Sequence, residues 1–149
     1  DEVIIEAPEA RAATLLIPSE YKVHIRLHCP LAVAQKYNKS SIDQNAYSDE
    51  LRVINKANLV SSPSLALVKE IESEINRKDV VIYKNPISID TKVMPFIKKD
   101  IDLIFMGRFQ TLKGIDYINS ILKSLPGNFN VYLIGSGSSI FKVDGFFLH

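Results

Sequence analysis

A chain of 149 residues has the length of one ordinary domain, or of two small ones if its composition breaks. With 18 Lys and Arg against 17 Asp and Glu, the net charge of +1 is too balanced for a general nucleic-acid or anionic-membrane binder, so any anion site must be local. A hydrophobic share of 46% with 23% charged residues excludes a disordered chain, and the single Cys29 excludes an internal disulfide or a Cys-rich zinc site and fits a reducing compartment.

No apolar run approaches the roughly 18–20 residues of a membrane span. The opening DEVIIEAPEA lacks the basic stretch of a signal peptide. Because Asp1 is not a methionine and a strand follows almost at once, the chain is expected to be a piece of something longer.

Short apolar runs alternate with helical patterns, which predicts an α/β fold with a parallel sheet. Residues 3–5 form the first strand. Pro8 suits the first turn of a helix reaching about Leu16. Residues 21–28 alternate strictly, with Val23, Ile25 and Leu27 on one face and His24, Arg26 and His28 on the other, and Pro30 ends that strand. Residues 35–48 are polar and without period, so an exposed loop is expected there, with at most a short helix.

Ser48 is placed to cap a helix carrying Leu51, Ile54 and Ala57 along one face, with Asp49 and Glu50 in its first turn. A short strand at 58–61 follows. Ser62 and Pro63 read as the cap and first residue of a helix with Leu65, Val68, Ile71 and Ile75 at helical spacing, ending near Asn76. Residues 80–83 read as a buried parallel strand, broken by Asn85-Pro86. From 87 to 99 the pattern dissolves into a candidate linker. It restarts as a βαβ unit: strand 101–106, loop 107–114, a helix bearing Ile115, Ile118, Leu122 and Leu125, a stop at Pro126-Gly127, and strand 129–134. Residues 143–149 are not expected to complete another element.

The most informative stretch is FMGRFQTLKGID, residues 105–116. A strand delivers Gly107 to the sheet's carboxyl edge, where open α/β sheets bind ligands. Arg108 and Lys113 bracket the loop, and Gly114 opens a helix whose free N–H groups and dipole favour an anion. A forked guanidinium with a mobile ammonium suits a diphosphate. An ordinary βα loop with two solvated cations is the other reading, and spacing does not separate the two. Gly135 and Gly137, within a Gly-Ser-Gly-Ser-Ser run, either bring backbone to a phosphate or make a flexible turn. They do not complete the dinucleotide fingerprint, which needs a third glycine and a downstream acid. Arg26 and His28, near the end of their strand, could reach a ligand, whereas a solvated edge is preferred for His24. No zinc ligand set or Ser-His-Asp arrangement stands out.

Taken in order, RLHCP (residues 26–30), ANLVSSPS (57–64), YKNPISID (83–90), IFMGRFQTLKGID (104–116) and VYLIGSGS (131–138) resemble glycosyltransferase family 4. These are retaining enzymes that use nucleotide sugars on a GT-B fold of two Rossmann-like domains. The resemblance covers about residues 1–138. It implies that residues 1–90 are the later part of the acceptor-side domain including the crossing, and that 91–149 begin the donor-side domain. It also implies that Arg108 and Lys113 hold the donor diphosphate beside Gly107 and Gly114, that Gly135 and Gly137 line the donor pocket, and that His28 lies at the reaction centre. Asn85 and Pro86 are structural in this scheme, and no metal or other cofactor is expected.

The partners implied are a nucleotide sugar and a glycan or lipid-linked acceptor of a bacterial surface polysaccharide or glycolipid, not a nucleic acid. The implied location is cytoplasmic, with peripheral contact to the inner membrane face for a lipid-linked acceptor. Family members also carry a Gly-rich loop near the N-terminus and two glutamates eight positions apart late in the donor domain. Neither is found in this sequence, so the resemblance implies a truncated chain. The alternatives are a non-catalytic nucleotide-binding or partner module, an inactive remnant and, ranked last, a Rossmann oxidoreductase.

Overall fold

The structure is a computed structural model, and it describes residues 3–88, 101–126, 129–137 and 147–148. It is mixed α/β, with two parallel sheets in two compact units, Asp1–Ser88 and Ile89–His149. The expected crossing at residues 90–91 and most of the expected linker lie outside the described residues.

In the first unit, strands β1 (Ile4–Pro8), β2 (Lys22–Arg26), β3 (Leu59–Ser62) and β4 (Val81–Ile82) pair in parallel in the order β1-β2-β3-β4. Helices α1 (Leu31–Tyr37) and α2 (Gln44–Lys56) connect β2 to β3, and α3 (Leu65–Ile71) connects β3 to β4. The inward residues of β2 and β3, Ile25 and Val60, are fully buried with Leu27, Ile54 and Ile71, and Val33, Ala57 and Ile75 complete the cluster. Ile25, Leu27, Ile54, Ala57, Ile71 and Ile75 are positions that the strand and helix periods single out, whereas Val33 is not, and Leu65, which is, stands exposed. Burying a side chain of this size stabilises the fold by about 1.5–3 kcal/mol.

Several local expectations are corrected by tertiary contacts. Pro8 does not begin a helix. It ends β1, an edge strand, where its missing N–H breaks no ladder. The chain then makes only a 3₁₀ turn at Ala10–Ala12, with Arg11 and Ala12 left-handed at φ 58° and 48°. Such a conformation costs a non-glycine residue about 1–2 kcal/mol, and the hydrogen bond from Arg11 N to the Glu50 carboxylate at 3.1 Å opposes that cost. Of the polar stretch 35–48, residues 35–37 end α1 and 44–48 begin α2, so the expected loop is confined to 38–43. Asp43, not Ser48, caps α2 by accepting from Ala46 N at 3.1 Å, which leaves Ser48 inside the helix. Likewise Ser64, not Ser62, caps α3 through Leu67 N at 3.2 Å, because Ser62 belongs to β3 and is buried. The helix also stops at Ile71 rather than near Asn76. β4 is shorter than expected and exposed, with Val81 at 49% and Ile82 at 42%, because it ends the order of its sheet.

The C-terminal carbonyls of α2 are held by a charged side chain. Arg77 donates from Nη1 to Ile54 O at 3.0 Å and Ala57 O at 2.8 Å, while Asp79 binds its Nε and Nη2. A cation here complements the negative end of the helix dipole. Arg77→Ala is expected to lower the unfolding free energy by about 2–3 kcal/mol, measurable by urea denaturation; a loss no larger than that of Arg52→Ala, at a solvent-exposed pair on the same helix, would count against this cap.

In the second unit, β5 (Leu103–Met106), α4 (Ile115–Ser124) and β6 (Asn130–Ile134) form a βαβ unit with β5 and β6 parallel, Leu103 opposite Val131 and Met106 opposite Ile134. Leu122 and Val131 form a small core with Ile118, Leu125, Phe129 and Leu133 packed against it. Contrary to expectation, the end of the chain adds an element, β7 (Phe147–Leu148), which pairs in parallel with β6. Among the described residues, no helix is long and apolar enough to cross a membrane.

Candidate functional site

The strongest anion candidate is built where β5 meets α4. β5 ends at Met106, and Gly107 N continues the ladder by donating to Ile134 O at 2.8 Å. The loop then reverses through a 3₁₀ turn, Thr111–Lys113, closed by Lys113 N to Gln110 O at 2.8 Å and Gly114 N to Thr111 O at 2.9 Å. Gly114 takes a left-handed conformation, φ 77°, and starts α4, its carbonyl accepting from Tyr117 N and Ile118 N. The amides of Ile115 and Asp116 have no backbone carbonyl partner among the described residues, as the first turn of a helix dictates. The same turn carries the exposed Asp116 carboxylate, which competes for the positive end of the dipole.

Arg108 and Lys113 are both exposed on this loop. Neither has an ion-pair or side-chain hydrogen-bond partner among the described residues. Among the described residues, no carboxylate consumes their charges.

Gly135 and Gly137 lie beside the same loop, but their smallness serves the protein's own backbone. A Cβ on Gly135 would stand 1.8 Å from Gly107 O, and one on Gly137 would stand 2.7 Å from Phe109 O. Phe109 N also donates to Ser136 O at 2.9 Å, and the Phe109 ring lies 6.0 Å from that of Phe105. The turn after β6 thus braces the loop after β5 over consecutive backbone contacts. Gly107, Arg108, Lys113, Gly114, Gly135 and Gly137 are therefore parts of one two-loop assembly at the carboxyl edge of β5 and β6. Ser138 and Ser139, expected to extend the glycine turn, lie outside the described residues. Sequence reasoning singled out these glycines but missed Phe109, the residue they pack against. The only available signal was an aromatic inside an otherwise polar loop.

In the first unit the other candidates part company. His28 follows the end of β2 with an exposed side chain, and its amide donates to both oxygens of the Glu9 carboxylate, at 3.1 and 2.9 Å. Arg26 is occupied: its Nη2 donates to Asn85 Oδ1 at 2.8 Å, and its guanidinium lies 5.4 Å from the centre of the Tyr83 ring. It fastens the chain beyond β4, a structural role that Asn85 shares. The solvated-edge reading of His24 is overturned. β2 lies between β1 and β3, and the His24 ring meets Ser61 Oγ at 2.8 Å and Glu6 Oε2 at 3.1 Å.

Two acids are buried that the sequence reading does not place so: nothing there singles out Glu9, and Glu50, expected in a first turn after Ser48, lies in the middle of α2. Glu9 is 0% exposed and Glu50 is 2% exposed. Burial first, and the neighbouring Glu9 charge as well, push the Glu50 carboxyl above its usual range, against the amide hydrogen bonds from Leu31 and Arg11, which favour its charge. The signal for Glu50 was positional. It stands three residues after Tyr47 and three before Val53, on the stripe of α2 that is buried.

No family model matches the chain, and no curated protein matches it.

Proposed function

We propose that the chain is a nucleotide-sugar-dependent glycosyltransferase of the retaining, GT-B type that its motifs resemble. In this reading the first unit is the acceptor side and the second the donor side. The sugar passes from a nucleoside diphosphate to a glycan or lipid-linked acceptor of a bacterial surface polysaccharide or glycolipid. The enzyme works in the cytoplasm, and a lipid-linked acceptor draws it to the inner membrane face.

One observation carries the reading: Arg108 and Lys113, exposed and without partners among the described residues, flank a braced βα loop that ends at the start of α4. Breaking a sugar–phosphate bond leaves negative charge on the departing diphosphate. Cations already in position stabilise that charge as it develops, without reorganisation. Arg108 supplies a fork that spans two oxygens, Lys113 a mobile point charge. Gly135 and Gly137 support the loop that carries both, and His28 serves the reaction side.

The test is calorimetric titration of the full chain with UDP, GDP and ADP, with the corresponding monophosphates as controls. At least one diphosphate is expected to bind more tightly than its monophosphate. Arg108→Ala and Lys113→Ala are each expected to weaken it by roughly ten- to hundredfold, the worth of a hydrogen bond to a charged group. Absence of diphosphate binding, or binding indifferent to both substitutions, would remove the basis of the reading. Turnover of the matching sugar nucleotide then separates an enzyme from a module that only binds.

A further inference from the structure

The turn that leaves β2 has an unusual way of satisfying its backbone. Leu27 N makes the last bond to the sheet, to Ser61 O at 2.8 Å. Beyond it the remaining donors through Leu31 all end on carboxylates, Pro30 having no N–H. His28 N and Cys29 N donate to Glu9, the latter at 2.7 Å, and Leu31 N donates to Glu50 Oε2 at 2.7 Å. The second oxygen of Glu50 accepts from Arg11 N, two residues past Glu9. Two acids thereby lace the turn after β2 to the turn after β1. Neither has an ion-pair partner among the described residues.

This arrangement is costly. A turn at the edge of a sheet can give its N–H groups to water at almost no loss, whereas burying carboxylates without cations is penalised by desolvation and by their mutual repulsion. What the expense secures is a fixed backbone. Two consecutive amides held by one carboxylate restrain the torsions around His28, and these fix the direction of the Cα–Cβ bond from which its imidazole projects.

We infer that Glu9 and Glu50 are positioning residues, Glu9 fixing the backbone of His28 and Glu50 locking the neighbouring turn, so that the exposed imidazole swings from a fixed Cα–Cβ bond and not from a mobile turn. The use of that imidazole in glycosyl transfer rests on the reading proposed above; the clamp does not. It extends that reading by assigning residues outside the reactive groups a part in ordering one of them.

The experiment is residue-resolved amide exchange by NMR on the full chain without ligand, combined with relaxation of the His28 ring, assigned among the three histidines with His28→Gln. In Glu9→Ala the His28 and Cys29 amides are expected to exchange roughly ten- to hundredfold faster, while Leu31 and Arg11 stay protected. Glu50→Ala should show the reverse pattern. The ring of His28 should gain mobility in Glu9→Ala, and Glu9→Gln, which keeps one acceptor oxygen, should fall between it and the parent. Uniform acceleration across β2 and β3 with an unchanged His28 ring would mean a structural plug and would overturn the inference. If Glu9→Ala does not fold, Glu9→Gln decides alone: an unaltered ring and unaltered His28 exchange overturn it. These measurements contain no nucleotide, so failure of the diphosphate titration and failure of the clamp are read separately.

Discussion

Gly135→Ala is expected to unfold much of the second unit while leaving the first intact. The added Cβ would stand 1.8 Å from the carbonyl oxygen of Gly107 and 2.8 Å from its carbonyl carbon. Both are backbone atoms that no side-chain rotation can move. Relief requires the turn after β6 to leave the loop after β5. That separation gives up the bonds from Gly107 N to Ile134 O and from Phe109 N to Ser136 O, at 2.8 and 2.9 Å. Steric strain together with lost hydrogen bonds places the cost at about 3–5 kcal/mol, at the upper end for a single substitution. Gly114→Ala is the control. Its φ is also positive, 77° against 158° at Gly135, but the nearest atom to a new Cβ is Tyr117 Cδ2 at 3.9 Å, so only the conformational cost of about 1–2 kcal/mol remains.

Amide exchange separates the two cases. In Gly135→Ala the protection of β5 and β6 should collapse and that of β2 and β3 persist. Equal losses in the two variants would show that backbone preference, and not close approach, governs the glycine turn. Diphosphate binding should disappear with the fold of the second unit in Gly135→Ala, even though Arg108 and Lys113 are untouched. This would link the loop's brace to its charge.

The same pair of glycines shows how far the sequence could be read. Strand, loop, helix and strand were legible from 101 to 134 because the apolar spacing changes with each element and the glycines fall at the joints. That a glycine turn follows β6 was legible too; that Gly135 must be small was not, because its neighbour, Gly107, is 28 positions away and becomes adjacent only through the pairing of β5 with β6. In the first unit the alternation of 21–28 marked β2, but it could not tell a central strand from an edge. His24 therefore seemed solvated until Glu6 and Ser61 were brought to its ring. The segment 8–16 has the composition of a helix, yet the Glu50 carboxylate, drawn from α2, fixes Arg11 in a conformation a helix excludes. Local propensity is a weak prior that long-range contacts override. The cations of the candidate site were legible for the opposite reason: exposed charge flanking a βα loop depends on little beyond the loop itself.

Glu50 supplies the other large effect. Glu50→Ala would leave the amides of Arg11 and Leu31, both partly buried, without their acceptors, and at most about 1–3 kcal/mol for each such donor puts the loss at up to about 2–6 kcal/mol. Glu50→Gln is milder and isolates the charge. The folded carboxyl titrates above its ordinary value of 4.5, chiefly because it is buried. Between 4.5 and that raised value the folded protein keeps a proton that the unfolded chain has released. Unfolding therefore becomes easier as pH rises through this window. Below 4.5 both states are protonated and the contribution is complete; above the folded value it is lost. The unfolding free energy of the parent minus that of Glu50→Gln, measured in urea from pH 4 to 8, should thus fall with rising pH and then level. A difference that instead grows with pH would mean that the two amides favour the charged carboxylate more strongly than burial disfavours it. In that event the clamp on the His28 turn would tighten on deprotonation, rather than hold at a cost in stability.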